Sequence, residues 1–248
     1  MRNNIVLNEP LSRHTSWKVG GPADIFFTPN DRNDLSDFLK SNDCIITWLG
    51  NGTNILVRDA GIRGAVISTR KSLNKIELID QSNYLIEVGV SCFELAMYAT
   101  KNNFGPAAFF SGIPGSIGGA LTMNAGCFGQ ETWEFVKSVE VMDRNGEIHQ
   151  LDPEEFSISY RSVSFPFPLW FLSCVMSFPE EGFTTIEELK SMRDSRLERQ
   201  PLTENTCGSV FKNPDGNHAG DLIERSDLKG FRIGGCAVSE KHANFIVN

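Results

Sequence analysis

A glycine-rich run without charge dominates the middle of the chain. Residues 111–129 read SGIPGSIGGALTMNAGCFG, and no charged side chain occurs between Lys101 and Glu131. Glycine adopts positive φ and has no β-carbon, so its backbone N–H groups can approach a ligand closely. Successive inward-facing amides form a concavity that suits phosphate. The run therefore indicates a nucleotide cradle, and its glycines are Gly112, Gly115, Gly118, Gly119, Gly126 and Gly129.

Two other readings of this run compete with the cradle. A membrane span needs about 20 predominantly apolar residues, whereas this run is interrupted by Pro114, several glycines and polar side chains. The second alternative is a glycine-rich structural turn without a ligand, since the run does not match the dinucleotide pattern G-x-G-x-x-G. A membrane segment is disfavoured, and the structural turn stays open at this point.

The balance of charge argues against nucleic acid as the main partner. The 248 residues carry 23 basic and 31 acidic side chains, a formal charge of −8, while nucleic-acid binding needs a basic surface. The first residues hold no apolar core of signal-peptide length, so we expect a cytoplasmic location and no membrane partner. Six scattered cysteines without C-x-x-C spacing favour reduced thiols, with no disulfide framework and no metal site.

Strand-like and helix-like segments mix without a regular βα repeat, which predicts an α+β fold in at least two lobes. Helix starts carry capping signals, as at Ser91 with Glu94 and at Thr185 with Glu188. An Asn-Gly pair at 145–146 predicts a hairpin turn. Predicted helices cover residues 31–40, 91–104, 185–200 and 219–228, and predicted strands cover 44–50, 84–90, 169–178, 210–213 and 242–248.

A second glycine segment directly follows a short apolar strand. Within LGNGTNILV, residues 49–57, the chain enters Gly50 and Gly52, and Thr53 and Asn54 add side-chain hydrogen-bonding groups. Turns of this kind often present amides to phosphate, and an ordinary strand-end turn is the alternative. The two glycine segments together favour a nucleotide site over two purely structural turns.

Three polar segments carry candidate catalytic or binding groups. Arg161, in ISYRSVSF, can bind a carboxylate or phosphate with two hydrogen bonds, although a surface arginine is the commoner case. Ser209, in CGSVFKNP, lacks a G-x-S-x-G context and is by itself more often structural. Lys212 and Asn213 can face an anionic or amide-bearing ligand, and His242 can donate to a ligand or complete a strand end.

Nine motifs in fixed order resemble the UDP-N-acetylenolpyruvoylglucosamine reductases. The resemblance extends from about residue 8 to the last residue and rests on the ordered motifs, not on composition or periodicity. The motifs are HTSWKVGGPAD, LGNGTNILV, SGIPGSIGGALTMNAG, SYRSVSF, RQPL, CGSVFKNP, AGDLIE, LKGFRIGGCAVS and HANFIVN.

The resemblance implies an FAD-binding α+β fold of the vanillyl-alcohol-oxidase (PCMH) type. Residues 1–70 and 71–180 are then expected to form two FAD-binding lobes, and residues 181–248 a substrate-binding α+β lobe. The cofactor-binding residues that it implies are Gly50, Asn51, Gly52, Thr53, Asn54, Gly112, Ile113, Pro114, Gly115, Ser116, Ile117, Gly118 and Gly119.

The same resemblance implies NADPH-dependent, FAD-mediated reduction of an enolpyruvyl UDP-sugar to UDP-N-acetylmuramate, a step of peptidoglycan precursor synthesis. Arg161 is expected to stabilise the enolate charge and Ser209 to protonate the α-carbon. Tyr160, Lys212 and Asn213 are expected to bind or position the UDP-sugar. We also expect a monomer.

The sequence departs from the family pattern at its end. Family members continue past the HANFIVN-like strand to an L-E-x-E-V segment whose second glutamate is the third catalytic group, whereas this sequence ends at Asn248. For this truncated form we expect weak FAD binding or aggregation, and slow turnover. Stoichiometric flavin with ordinary NADPH-dependent turnover would contradict that expectation.

Two alternatives to the reductase stay open at this point. One is another FAD oxidoreductase of the same fold, and the other is a non-catalytic flavin-binding remnant without the C-terminal acid.

The segment between Leu169 and the helix at 185–200 leaves no room for the tyrosine-bearing insertion of the longer family branch. The resemblance is therefore to the shorter branch.

Overall fold

The structure, a computed structural model, describes residues 4–103, 105–179, 182 and 184–248. The chain divides into two compact units, each assembled from separate stretches of sequence. The first unit consists of Met1–Glu9, Ala23–Asn51 and Ile62–Leu189, and the second consists of Pro10–Pro22, Gly52–Gly61 and Lys190–Asn248. These units do not test the predicted division into lobes at 1–70, 71–180 and 181–248, which stays a prediction.

The regular elements are short and lie mostly in the first unit. The α-helices are α1 Arg32–Ser41, α2 Cys92–Asn102, α3 Ile117–Met123, α4 Ile186–Arg199 and α5 Ala219–Arg225. The strands are β1 Ile5–Pro10, β2 Pro22–Phe27, β3 Ile46–Leu49, β4 Ile62–Ser68, β5 Ile76–Leu78, β6 Asn83–Glu87, β7 Gly126–Cys127, β8 Gln130–Glu131, β9 Val136–Asp143, β10 Ile148–Leu151, β11 Ser157–Ser159, β12 Ser162–Ser164, β13 Leu169–Ser177, β14 Arg232–Ile233, β15 Cys236–Val238 and β16 Ile246–Val247. Short 3-10 helices occur at Leu11–Arg13, Ala107–Gly112, Thr132–Glu134 and Pro153–Glu155.

Two sheets form the framework of the first unit. One has the order β1-β2-β4-β3, with β4 parallel to both β2 and β3. The other has the order β10-β9-β13-β6-β5 and is antiparallel throughout. The turn between β9 and β10 contains Gly146 at φ 74°, which confirms the hairpin predicted from the Asn-Gly pair.

The helices of the first unit begin where side-chain caps are available. Asp31 accepts a hydrogen bond from the Asp34 N–H at 2.9 Å and starts α1. Phe38 of α1 is buried and stacks on Phe27 of β2, with ring centroids 4.1 Å apart. Ser91 and Glu94 exchange the two hydrogen bonds of a capping box at α2. The cap at Ser91 therefore lies where the sequence predicts it.

The second unit contains α5 and a three-stranded sheet in the order β14-β15-β16. Trp17 joins this unit through its indole N–H, which donates to the Ile246 carbonyl oxygen at 2.8 Å. The strand predicted at 210–213 is wrong, since these residues belong to no strand. The buried Asn244 side chain binds both backbone groups of Phe211, at 3.0 and 2.9 Å, and so replaces the hydrogen bonds of a strand ladder.

Candidate active site

The two glycine segments meet in the first unit at Gly50 and Ser116. A β-carbon on Gly50 would lie 2.7 Å from Ser116 Oγ, closer than real β-carbons approach. Ser116 is 2% exposed and caps α3 by accepting a hydrogen bond from the Gly119 N–H at 3.3 Å. The end of β3 and the start of α3 therefore converge, and they require glycine at position 50.

Part of the glycine run is engaged by the protein itself. The Ile117 N–H donates to the Val90 carbonyl oxygen at 2.8 Å, and the Gly118 N–H donates to the Val88 carbonyl oxygen at 3.0 Å. A β-carbon on Gly118 would lie 3.0 Å from Val88 Cβ. Both residues stay predicted cofactor residues, but their amides fix the segment against β6 and its following turn. The amides free to bind a ligand lie elsewhere in the two segments.

Ser111 is a further candidate site residue, which the sequence pattern does not single out. Its Oγ is buried and has no hydrogen-bond partner in the part of the chain that the structure describes. It directly precedes Gly112 and the predicted cofactor residues. Because a buried hydroxyl without a partner is costly, this oxygen fits a polar group of a bound cofactor.

Gly52 anchors the second glycine segment within the second unit. Its φ is 67°, and a β-carbon there would lie 1.9 Å from the His14 carbonyl oxygen. Its own carbonyl oxygen accepts from the Ser16 N–H at 2.9 Å. Within the described residues the N–H groups of Gly52, Thr53 and Asn54 have no acceptor. Backbone donors without a protein acceptor suit the phosphate and carbonyl oxygens of a bound cofactor.

Cys207 supports this loop from the segment that carries Ser209. Its Sγ lies 3.7 Å from the Gly52 carbonyl oxygen and 3.5 Å from that of Ile55. Burial raises the pKa of the Cys207 thiol, so the thiol stays protonated and can donate. The adjacent Thr206 Oγ1 is buried and has no hydrogen-bond partner among the described residues. The Cys207 contacts join residues about 150 positions apart, so no local sequence pattern indicates them.

Arg161 is held in a strained position in the first unit. It lies in the two-residue turn between β11 and β12 with φ 55°, a left-handed conformation that costs a non-glycine residue roughly 1 kcal/mol. Its Nη2 donates to the Gly126 carbonyl oxygen at 3.0 Å, and Cζ lies 5.9 Å from the centroid of the Tyr160 ring. Tyr160 is 51% exposed. The guanidinium is therefore fixed by one bond and keeps further donors for an anion.

Ser209, Lys212 and Asn213 all lie exposed in the second unit. Ser209 forms an isolated bridge with Phe245. Asn213 Oδ1 accepts from the Ala219 N–H at 3.0 Å at the start of α5, so only its NH₂ group is left to donate to a ligand. Lys212 has no hydrogen bond or ion pair to the part of the chain that the structure describes.

His242 completes a turn in the same unit. Its Nδ1 accepts from the Asn244 N–H at 3.2 Å, and burial lowers the pKa of its ring. A neutral ring with its proton on Nε2 satisfies this geometry. His242 therefore has a structural role beside Asn244.

The described ranges contain neither a cluster of metal ligands nor a membrane-spanning helix. No group of three or more His, Cys, Asp or Glu side chains there could hold a metal ion. No described helix has the length and apolar character that a bilayer crossing requires. All six cysteines are free thiols in the structure.

Comparisons with known proteins identify the family. A model of the FAD binding domain matches residues 23–152, and a model of the UDP-N-acetylenolpyruvoylglucosamine reductase C-terminal domain matches residues 200–248. The reductase of that name from Legionella pneumophila (strain Paris) is 44% identical over 250 residues, which cover 100% of this chain and 82% of the relative. The chain belongs to the UDP-N-acetylenolpyruvoylglucosamine reductase family.

Further relatives agree with this assignment to the reductase family. The reductase from Methylococcus capsulatus is 45% identical over 244 residues, covering 97% of this chain and 80% of the relative. The crystal structure of the reductase from Thermus caldophilus has a TM-score of 0.83 at 30% identity, covering 100% of this chain and 88% of that chain.

More distant structures share the fold over part of the chain. Alkyldihydroxyacetonephosphate synthase has a TM-score of 0.53 at 16% identity and covers 72% of this chain and 38% of its own. Together the comparisons confirm the predicted α+β fold of the vanillyl-alcohol-oxidase type. This member of the reductase family is an FAD-dependent oxidoreductase.

Proposed function

We propose that the chain reduces the enolpyruvyl ether of UDP-N-acetylglucosamine-enolpyruvate to UDP-N-acetylmuramate, with NADPH as reductant, in peptidoglycan precursor synthesis. The observation that carries this proposal is the 44% identity to a named reductase over the whole chain. The presence of Arg161 and Ser209 in the motifs that resemble the family supports catalysis over a non-catalytic remnant.

The two glycine segments are proposed to hold FAD. Bound FAD supplies hydride transfer from NADPH to the β-carbon of the substrate. The unpaired amides at residues 52–54 suit its pyrophosphate, and Ser111 Oγ offers a buried hydroxyl to another of its polar groups. Residues 50–54 and 112–119 are the proposed binding segments.

Arg161 is proposed to stabilise the negative charge that develops on the substrate. Hydride addition to the carbon–carbon double bond places an electron pair on the α-carbon, where it is delocalised into the carboxylate as an enolate. A guanidinium that is already fixed in place stabilises charge that develops during the reaction most effectively, because it does not have to reorganise. The bond to the Gly126 carbonyl oxygen supports such fixation.

Ser209 is proposed to deliver a proton from its Oγ to the α-carbon. An unactivated hydroxyl is a weak acid, but transfer to a carbanion-like centre is favourable enough for general-acid catalysis. Lys212, the NH₂ group of Asn213 and Tyr160 are proposed to bind the UDP-sugar. Their exposed side chains are available to a ligand.

Anaerobic stopped-flow absorbance tests the reaction directly. NADPH is expected to bleach the bound flavin, and the enolpyruvyl UDP-sugar is expected to restore its colour. Restoration by simple carbonyl compounds instead of the UDP-sugar would favour another oxidoreductase of the same fold. A flavin that NADPH does not bleach would contradict the proposal and favour a non-catalytic flavin protein.

We also propose that the protein works as a cytoplasmic monomer with small-molecule partners. The charge of −8 opposes binding to nucleic acid. Sedimentation at micromolar concentration, with and without FAD, tests the monomer. A mass of twice that of the chain would contradict it.

A further inference from the structure

Asn124, at the end of α3, uses every hydrogen-bonding group of its side-chain amide. It adopts the left-handed conformation with φ 40° and is 2% exposed. Its Nδ2 donates to Glu131 Oε2 at 2.6 Å and to the Ser159 carbonyl oxygen at 3.3 Å, and its Oδ1 accepts from the Trp133 N–H at 3.2 Å. Both hydrogens of the amide and its oxygen are therefore committed within the first unit.

These bonds act on the hairpin that carries Arg161. Ser159 is the last residue of β11, two residues before Arg161. The Arg161 guanidinium in turn donates to the carbonyl oxygen of Gly126, two residues after Asn124. The hairpin is thus tied to residues 124–126 at two points, once through its backbone and once through the arginine.

The anchoring segment is itself rigid. The Ala125 carbonyl oxygen accepts from both the N–H and the Oγ1 of Thr132, at 3.0 and 2.6 Å. Thr132 is completely buried. Because these bonds anchor the residue after Asn124, the Asn124 amide is held in a defined position relative to Ser159.

We propose that Asn124 is a positioning residue for Arg161: its Nδ2–H···O=C bond to Ser159 sets the turn from which the guanidinium reaches the substrate. The inference rests on the proposed function, which gives Arg161 its charge-stabilising role. The bond to Glu131 and the bond from Trp133 hold the amide in the orientation that this task needs.

The test replaces Asn124 with aspartate, which has nearly the same shape but no amide hydrogens. Asn124→Asp keeps the size of the side chain and its tolerance of left-handed φ, and one oxygen still accepts from the Trp133 N–H. The other oxygen faces the Glu131 carboxylate and cannot donate to Ser159. In the double variant Asn124→Asp/Glu131→Gln the glutamine amide donates to the aspartate, which restores that link while the bond to Ser159 stays lost.

Three measurements separate positioning from mere stability. We expect flavin reoxidation by the enolpyruvyl UDP-sugar to slow about tenfold in Asn124→Asp, the effect of one hydrogen bond. It stays slow in the double variant, although the melting temperature recovers. Flavin reduction by NADPH stays at the wild-type rate in both variants. The matched control is Asn102→Asp, which removes an exposed hydrogen bond from the Asn102 side-chain amide to the Tyr98 carbonyl oxygen. We expect it to change neither rate.

A double-mutant cycle asks whether Asn124 acts through Arg161. In the Arg161→Ala background, Asn124→Asp is expected to slow reoxidation no further. Hydrogen exchange of residues 157–164, measured without FAD, is expected to accelerate in Asn124→Asp and in the double variant but not in Asn102→Asp. Additive rate losses, recovery of reoxidation in the double variant, or unchanged exchange would each overturn the inference.

Failure of the proposed function gives a different result. In that case the wild-type flavin is not reoxidised by the enolpyruvyl UDP-sugar at all. The positioning of the hairpin is then still decided by hydrogen exchange, which needs no substrate.

Discussion

Gly50 lies so close to Ser116 that a β-carbon at position 50 would stand 2.7 Å from the serine Oγ. Ser116 is buried and caps α3, so it cannot easily move away. The contact brings the turn after β3 to the start of α3 within the first unit. Two segments that are distant in sequence thereby become two parts of one proposed FAD site.

Gly50→Ala is expected to weaken FAD binding about tenfold, because the new methyl group would stand too close to the buried Ser116 and would displace the turn after β3. Titration of the apoprotein with FAD, followed by flavin fluorescence, measures the affinity. Gly235→Ala is the control, since its β-carbon would meet only Asn248 Oδ1, at 3.6 Å. Equal affinities for Gly50→Ala and wild type would argue against the turn as a cofactor contact.

Arg161→Gly and Arg161→Ala are expected to differ in stability but not in activity. Glycine relieves the left-handed strain at φ 55°, so this variant should be about 1 kcal/mol more stable to urea than Arg161→Ala. Both lose the guanidinium and should slow reoxidation by the enolpyruvyl UDP-sugar by about 10²-fold or more. Reoxidation at the wild-type rate in either variant would remove Arg161 from the reaction.

Local signals in the sequence predicted local structure well. The capping pair Ser91 and Glu94 and the Asn-Gly turn at 145–146 specify geometry through residues a few positions apart. Such elements need no tertiary partner to be recognised. The α+β class followed from the mixture of strand-like and helix-like segments, the family followed from the ordered motifs, and the comparisons confirm both.

The contacts that shape the site could not be predicted in this way. The amides of Ile117 and Gly118 are taken by residues of another segment, so the glycine run is less open than its composition indicates. Residues 210–213 have strand-like composition, but the side chain of Asn244 binds their backbone instead. Each of these contacts joins residues about 30 positions apart, a distance at which a pattern carries no pairing information.

Ser209→Ala is expected to leave flavin reduction by NADPH unchanged and to slow flavin reoxidation by about 10²-fold, the usual worth of a general acid. Stopped-flow absorbance separates the two half-reactions. Ser226→Ala is a control in the same unit, because Ser226 Oγ only donates to the Leu222 carbonyl oxygen. If reoxidation keeps its rate in Ser209→Ala, another group donates the proton.

Cys207 is expected to react with iodoacetamide far more slowly than the exposed Cys236. Burial raises the pKa of the Cys207 thiol, so little thiolate is present at neutral pH, and the rate should rise as pH increases towards that pKa. Mass spectrometry of peptides after timed alkylation measures both rates in one sample. Equal labelling of the two thiols would show that the loop at residues 52–55 is open.

Asp24→Asn is expected to destabilise the protein at neutral pH and to lose this effect in acid. The pKa of Asp24 is lowered by the hydrogen bond from the Gly64 N–H, and further by Arg63. A lowered pKa in the folded state stabilises above the ordinary aspartate pKa, about 3.9, and this contribution disappears as pH falls through the folded-state value. Urea unfolding at a series of pH values measures the difference, with the exposed Asp37→Asn as control. A difference that does not shrink in acid would mean that Asp24 acts through its shape and not its charge.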